Sequence, residues 1–350
     1  HYDDNTVATF HANSPGGGSN LPSVTRLPGI FIQDDITFNA QNRLLVGVRY
    51  DHHSIHGPIF SPRVNYKWNS PDRNLVIRLS LGNGFRVVNV FTEDHAALTG
   101  AREIRFLEEL KPESSWNGNA NLVKKFYLPD GCFLSIDASA FYTHFSNQII
   151  PDYISDPNLI IYGNMDGYAV SRGLSCNTEF SAPGRLQVSA GCTFLDAFTR
   201  VQEEKSRRLF SERFSGVWNV EYSFRNSGFT LEYTGNVYSP MNLPLLSQSD
   251  PRKKQSPWWS IQNIQLTRKF ASGLELFAGI KNLLNWTPNK GNPFIIARSH
   301  DPFDKLVKFG SKGEALVTAE NPYGLTFDPS YVYGPNQGIR FFLGLRYRLE

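Results

Sequence analysis

Residues 74–82 read NLVIRLSLG. Leu75, Ile77, Leu79 and Leu81 occupy alternate positions, with Arg78 and Ser80 between them. That period of two puts an apolar row on one face of a strand and a polar row on the other. The rule extends outward in both directions. In RLLVGVRYD (43–51), Leu44, Val46, Val48 and Tyr50 oppose Gly47, Arg49 and Asp51. In SWNGNANLVKKF (115–126), Trp116, Ala120, Leu122 and Phe126 oppose Asn117, Asn119 and Asn121. FLSIDASAFY (133–142) sets Leu134, Ile136, Ala138 and Ala140 against Ser135, Asp137 and Ser139. GIRFFLGLRYRL (338–349) sets Ile339, Phe341, Leu343, Leu345, Tyr347 and Leu349 against Arg340, Arg346 and Arg348. GLSCNTEF and RLQVSAGCTF follow the same pattern. Only REIRFLEEL (102–110) reads as a short helix.

About thirteen such segments can be marked, many near the roughly 9–11 residues that a tilted strand needs to cross a bilayer. Their connections alternate in length. Short ones fall at 39–42, 69–74, 128–131, 181–184, 225–228 and 271–273, rich in the Asn, Asp, Pro and Gly of tight turns. Long ones fall at 7–28, 51–58, 86–112, 150–163, 197–210, 240–257 and 287–335. The stretch 80–116, SLGNGFRVVNVFTEDHAALTGAREIRFLEELKPESSW, holds one of the longest. Short turns on one rim and long loops on the other are the pattern of an outer-membrane barrel. The apolar rows would then meet lipid and the Asn-, Ser- and Arg-rich rows would line a lumen. Tyr66, Trp68, Trp218, Trp258, Trp259 and Tyr347 lie near strand ends, where aromatic girdles form. Asp34 and Arg172 interrupt apolar rows, which places them near a rim or marks a register slip. A passive porin-like or structural barrel and a soluble all-β binding protein share the alternation and stand as alternatives. Strands of a soluble sandwich are shorter, often about 5–6 residues.

Composition narrows the field. Aromatic residues make up 13% of the chain and charged residues 19%, which fits a folded protein. A net charge of +3 with no basic run beyond RKK (252–254) gives no nucleic-acid face. No run approaches the roughly 18 apolar residues of a membrane-spanning helix. The opening HYDDNTVATF is no signal peptide, so the chain reads as mature, processed or a fragment. Cys132, Cys176 and Cys192 lack metal or redox spacing. Cys176 and Cys192 sit at similar distances from the turn SAPG and face each other across a hairpin on that reading, as small apolar side chains or as a bonded pair. GxSxG, HExxH and GxxxxGK[ST] are missing, so the reading is not an enzyme.

LPGIFIQDDITFNAQNRLLVGVRYD (27–51), IFSPRVNYKW (59–68), RLSLGNGFRVVNVFTEDHAALTGARE (78–103), ELKPESSWNGNANL (109–122), GLELFAGIKNLLNW (273–286) and FDPSYVYGPNQGIRFFLGLRYRL (327–349) stand in order along the chain. Together they resemble the C-terminal part of TonB-dependent outer-membrane receptors, particularly of the Bacteroidetes kind. The resemblance implies an antiparallel transmembrane β-barrel of roughly 22 strands, of which residues 1–350 would be a partial barrel domain without the plug and early strands. It implies a Gram-negative outer-membrane location and partners in outer-membrane lipid, the TonB complex and a scarce nutrient ligand, with a surface lipoprotein as an option. No intrinsic cofactor is implied. The cargo would be an iron chelate of the siderophore kind, or else haem or cobalamin. Some haem receptors of the superfamily carry a Phe-Arg-Ala-Pro run and a following Asn-Pro-Asn/Asp-Leu run. Here Val87 and Val88 follow Phe85 and Arg86, which speaks against haem.

The candidate ligand-binding residues lie in the long connections. YDHHSIHG carries His52, His53 and His56 in one loop, where imidazoles would meet a metal or haem iron, although the spacing fits no zinc pattern. Residues 86–112 hold Arg86, Asn89, Glu93, Asp94 and His95, a mix of donors and acceptors suited to a polar chelate. The longest loop adds Arg298 and His300. Residues 205–210, KSRRLF, would meet anionic lipid sugars, a ligand or solvent.

Overall fold

The computed structural model describes residues 2–4, 12–13, 23–53, 56–87, 103–108, 110–153, 155–156, 159–245, 253–288, 308, 310–311, 316–319 and 333–347. Thirteen long strands follow one another. They are β1 (Gly29–Thr37), β2 (Asn42–His53), β3 (Gly57–Asn69) and β4 (Leu75–Arg86). Next come β5 (Glu113–Tyr127), β6 (Phe133–Asn147), β7 (Gly167–Ala182) and β8 (Leu186–Val201). The last are β9 (Phe214–Ser223), β10 (Phe229–Tyr238), β11 (Trp259–Lys269), β12 (Leu274–Lys281) and β13 (Arg340–Tyr347). They pair in sequence order as one antiparallel meander. The short strand Glu204–Arg207 brings the sheet to 14 strands by extending the hairpin above β8.

The register aligns side chains laterally as the alternation predicts. Ile36, Leu44, Tyr66, Leu79, Ala120, Ala140, Leu174, Phe194 and Phe214 are successive cross-strand partners from β1 to β9. This apolar row has no second layer over it among the described residues. Leu79 is 46% exposed, Phe341 75% and Leu343 83%; Leu44 is half-buried. A soluble sandwich packs such a face against another sheet about 10 Å away. Here the only solvent that suits the face is lipid.

The opposite parity is polar and self-bonded. Arg43 forks onto Asp35 at 2.7–2.8 Å. Arg78 donates to Asn121 Oδ1 at 2.8 Å, and Asn121 Nδ2 donates to Asp137 at 2.5 Å and to Ser139 Oγ at 2.9 Å. Arg63 donates to Gln33 Oε1. These strand-to-strand bonds hold long polar side chains against the wall.

One rim carries tight turns at 38–41, 70–74, 128–132, 183–185, 224–228 and 270–273. Gly228 shows why their chemistry matters: its φ is +69° and a Cβ would stand 2.6 Å from the Lys269 carbonyl oxygen. Five connections on the other rim are long. The sixth is not. Residues expected as a loop over 51–58 form a tight hairpin in which β2 runs to His53 and β3 starts at Gly57. The positive φ of Gly57, +75°, lets the chain reverse there.

The sequence also suggests a helix at 102–110, and the structure corrects this. Glu103–Phe106 is a strand, paired in parallel with Leu159–Asn164. The i, i+3, i+4 apolar spacing is outweighed by a partner strand that buries Ile104. Cys176 and Cys192 are direct cross-strand partners on the lipid face, and both are free thiols. Asp34 and Arg172 do stand on the apolar face, so no register slip is involved. Of the proposed girdle residues, Trp259 belongs to the other parity. It pairs with Tyr238 on the inner face, while Trp258 lies against Phe214 of the outer row.

Candidate functional site

The rim with long connections is built, not merely connected. Residues from three loops make a small mixed sheet in the order Ile149–Asp152, Leu159–Asn164, Glu103–Phe106, Ala12–Asn13. Ile104, Ile149, Ile160 and Tyr162 form its core, with Phe106, Leu110 and Tyr153 packed around them. Buried backbone away from a sheet needs partners, and side chains supply them at the joints. Asn164 Oδ1 accepts from the Lys111 N–H at 3.1 Å, and Glu108 accepts from the Asn164 N–H at 3.1 Å. Asn147 Nδ2 donates to the Pro112 carbonyl at 2.9 Å.

Arg86 and Glu113 tie this loop sheet to the wall. They are register partners at the tops of β4 and β5. Arg86 donates from Nη2 at 2.7 Å and from Nε at 2.9 Å to Glu113 Oε2. The other oxygen of Glu113, which is almost fully buried, accepts the Ile149 N–H at 3.0 Å. Arg86, singled out as a ligand contact, thus anchors the loop sheet.

The histidines occupy the β2–β3 hairpin. His52 takes the lipid-face parity and His53 the inner one. His53 is buried; its ring stacks on His56 at 4.6 Å, and its Nδ1 accepts the His56 N–H at 3.2 Å. Burial first, then the neighbouring His56 and His52, pushes the His53 pKa below the ordinary imidazole value. Below it, buried Asp51 receives both Nε and Nη2 of Arg49 at 2.7 Å. No cluster of three or more His, Cys, Asp or Glu suited to a metal ion occurs among the described residues.

A second cluster closes the far side of the rim. Met241, Leu243 and Tyr333 are buried, with Phe210, Leu245, Trp259 and Trp286 against them. Tyr238, Trp259, Trp286 and Tyr333 form a ladder with successive centroids 4.2, 4.8 and 6.2 Å apart. Asn282 steadies it by donating to the Trp286 carbonyl at 2.6 Å and accepting the Trp286 N–H at 3.0 Å.

Asn89, Glu93, Asp94, His95, Arg298 and His300 lie outside the described residues. Glu113, Asp51, Asn147 and Asn164 were missed by sequence reasoning. Glu113 and Asp51 carried one signal, an acidic residue on polar parity at the loop end of a strand.

A family model described as "TonB dependent receptor-like, beta-barrel" matches residues 1–283. The chain belongs to this TonB-dependent receptor family. That places it in the Gram-negative outer membrane. The "Iron-regulated outer membrane virulence protein" of Vibrio cholerae is 32% identical to this receptor over 121 residues, which are 34% of this chain and 18% of that protein. The ferric enterobactin receptor of Pseudomonas aeruginosa, as a mutant in complex with enterobactin, superposes with a TM-score of 0.61 at 15% identity, over 98% of this chain and 49% of that one. The siderophore receptor PirA of the same organism gives a TM-score of 0.54 at 16% identity over 76% of this chain and 44% of that one. The chain thus spans less than half the length of these solved receptors, and at such identities the likeness shows the fold.

Proposed function

We propose that the chain is the barrel and loop canopy of an import receptor for a scarce iron chelate of the siderophore class. Strands beyond these thirteen would complete a wall of about 22, since lipid offers no partner to an open sheet edge. A plug and a TonB-contacting segment would complete the transport machinery. Chelate would bind among the rim loops, and TonB-driven plug rearrangement would pass it to the periplasm.

The carrying observation is the polar inner wall beneath an ordered canopy. Arg63, Lys67 and Arg78 take inner parity over β3 and β4, beside Arg43, whose charge is met by Asp35. A cationic stripe favours an anionic cargo such as a ferric chelate. The names of the Vibrio relative and of the Pseudomonas receptors point the same way. In this reading Asn89, Glu93, Asp94, His95, Arg298 and His300 contact cargo directly. His52, His53, His56 and Arg86 shape the mouth around it.

The test is uptake of radiolabelled iron as siderophore complexes, in cells with and without the receptor and with and without TonB. Saturable uptake that needs both supports the reading. Uptake of small solutes that ignores TonB, with an open conductance in planar bilayers, would establish the porin-like alternative instead.

A further inference from the structure

The outer wall of β5–β8 carries a feature that import does not use. Arg172 and Asp196 face each other across β7 and β8, on the apolar parity. Arg172 donates from Nε at 3.1 Å and from Nη2 at 3.0 Å, both to Asp196 Oδ2. Lys205 Nζ lies 3.9 Å from the same oxygen and 3.9 Å above the Phe198 ring. Arg213 and Tyr142 complete the lining of one open pocket with them. Two cations thus share one carboxylate, with Arg213 bordering the same pocket, and the Arg172 and Lys205 side chains each keep 54% of their surface exposed. The pocket holds uncompensated positive charge.

The height of the pocket is set by the strand. Arg172 is ten residues above Ala182, the last residue of β7 at the short turn. At about 3.4 Å per residue and a tilt near 45°, that is roughly 24 Å above the short-turn rim. The apolar band of such barrels is about 25 Å tall. The cations therefore sit at the headgroups of the outer leaflet. Directly below, and sharing Leu174 and Phe194 with the pocket, runs an apolar groove. Its floor is the small side chains of Ala120, Ala138 and Ala140, and Leu122 forms its other side. Small residues amid a row of Leu and Phe leave a channel of acyl-chain width on a face that already meets lipid.

We propose that this patch binds a phosphorylated, multiply acylated lipid of the outer leaflet, the lipid A class. A phosphate sits among Arg172, Lys205 and Arg213, with the Tyr142 hydroxyl as a further donor. One acyl chain lies in the groove below. Asp196 holds Arg172 and Lys205 together without neutralising both.

The test uses the full-length receptor, extracted in mild detergent and studied by native mass spectrometry and thermal melting with added lipid A. Bisphosphorylated lipid A is expected to stay bound and to raise the melting temperature, and dephosphorylated lipid A to bind at least tenfold more weakly. The triple variant R172Q/K205Q/R213Q should lose that preference. Ala140→Phe, which fills the groove and leaves the cations, should weaken binding of both lipids. Arg268→Gln removes an outer-wall cation at the opposite rim and should change nothing. K205Q alone removes an exposed charge without touching the Arg172–Asp196 pair, so it reports even if the triple variant fails to fold. Equal binding of phosphorylated and dephosphorylated lipid by the wild type overturns the proposal. So does wild-type affinity in K205Q and in the triple variant, or phosphatidylglycerol competing as well as lipid A.

Discussion

Glu113→Ala should release the loop sheet from the barrel wall while leaving the wall intact. Glu113 is 4% exposed and holds three hydrogen bonds, two from Arg86 and one from the Ile149 N–H. The Arg86 side chain is 55% exposed, so it rehydrates when its partner goes, and its share of the loss is screened. The Ile149 N–H has no such recourse; a buried donor left without an acceptor costs about 1–3 kcal/mol. Adding about 1 kcal/mol for the screened charge-assisted bonds gives roughly 2–4 kcal/mol of local stability. At about 1.4 kcal/mol per decade, amide protection in the loop sheet should fall roughly 30- to 700-fold. Hydrogen exchange read by mass spectrometry over residues 149–152 and 159–164 measures this directly. Glu113→Gln keeps an acceptor for Ile149 and should lose only about 1 kcal/mol. Peptides from β7 and β8 should not change in either variant. If the loop-sheet amides of Glu113→Ala exchange at wild-type rates, the canopy is held by its own core of Ile104, Ile160 and Tyr162, and the anchoring role is wrong.

Three other outcomes follow from single contacts. His53 is neutral because burial depresses its pKa, so the folded hairpin binds its proton less readily than the unfolded chain does. Its stability is therefore full above the ordinary imidazole value of about 6.5 and is lost as pH falls through the lower folded value; exchange at the His56 amide should accelerate over that window and lose this dependence in His53→Gln. Gly29→Ala would put a Cβ 2.1 Å from Asp51 Oδ1, so the Arg49–Asp51 fork must shift. A loss of about 1–3 kcal/mol is expected in refolding titrations, by the cost of overpacking, and a neutral result would mean that the first hairpin is far softer than its contacts imply. Leu343→Arg puts a charge four residues above Tyr347 on the lipid face, near mid-membrane. It should cost about 2–4 kcal/mol in liposome refolding, whereas a water-exposed wall would accept it for almost nothing.

The wall was legible because a period of two is a local property. Each of Leu75, Ile77, Leu79 and Leu81 declares its face from two-residue spacing alone, and the turn residues at 70–74 and 224–228 declare where the strand stops. The canopy was not legible for the opposite reason. Ile104 and Ile160 lie more than fifty residues apart, and Glu103–Phe106 becomes a strand only because Leu159–Asn164 arrives beside it. Read alone, REIRFLEEL has helical spacing. His52 and His53 failed differently: histidines beside Ser and Gly look like loop, yet register with Pro58 and Gly57 keeps them in β2. Arg86 was found for the right position and the wrong task, since nothing in its neighbours names Glu113 as its partner.

Trp258 and Trp259 show how this architecture divides its work. They are adjacent, so one peptide step sends their side chains to opposite faces of the wall. Trp258 lies outside, 58% exposed, against Phe214 in the row that meets lipid. Trp259 lies inside, stacked between Tyr238 and Trp286 at the base of the canopy. The same parity separates Arg172, turned toward the leaflet, from Ser171 and Gly173, turned toward the lumen. A shift of one residue anywhere in β7–β11 would exchange the two sets, putting polar rows against lipid and apolar rows such as that of Leu174 against the lumen. The lateral row that begins at Ile36 therefore does two jobs: it anchors the wall in the membrane, and it fixes the register that aims every lumen-facing side chain. Substitutions on the greasy face that weaken register should thus displace lumen-facing side chains that they never touch.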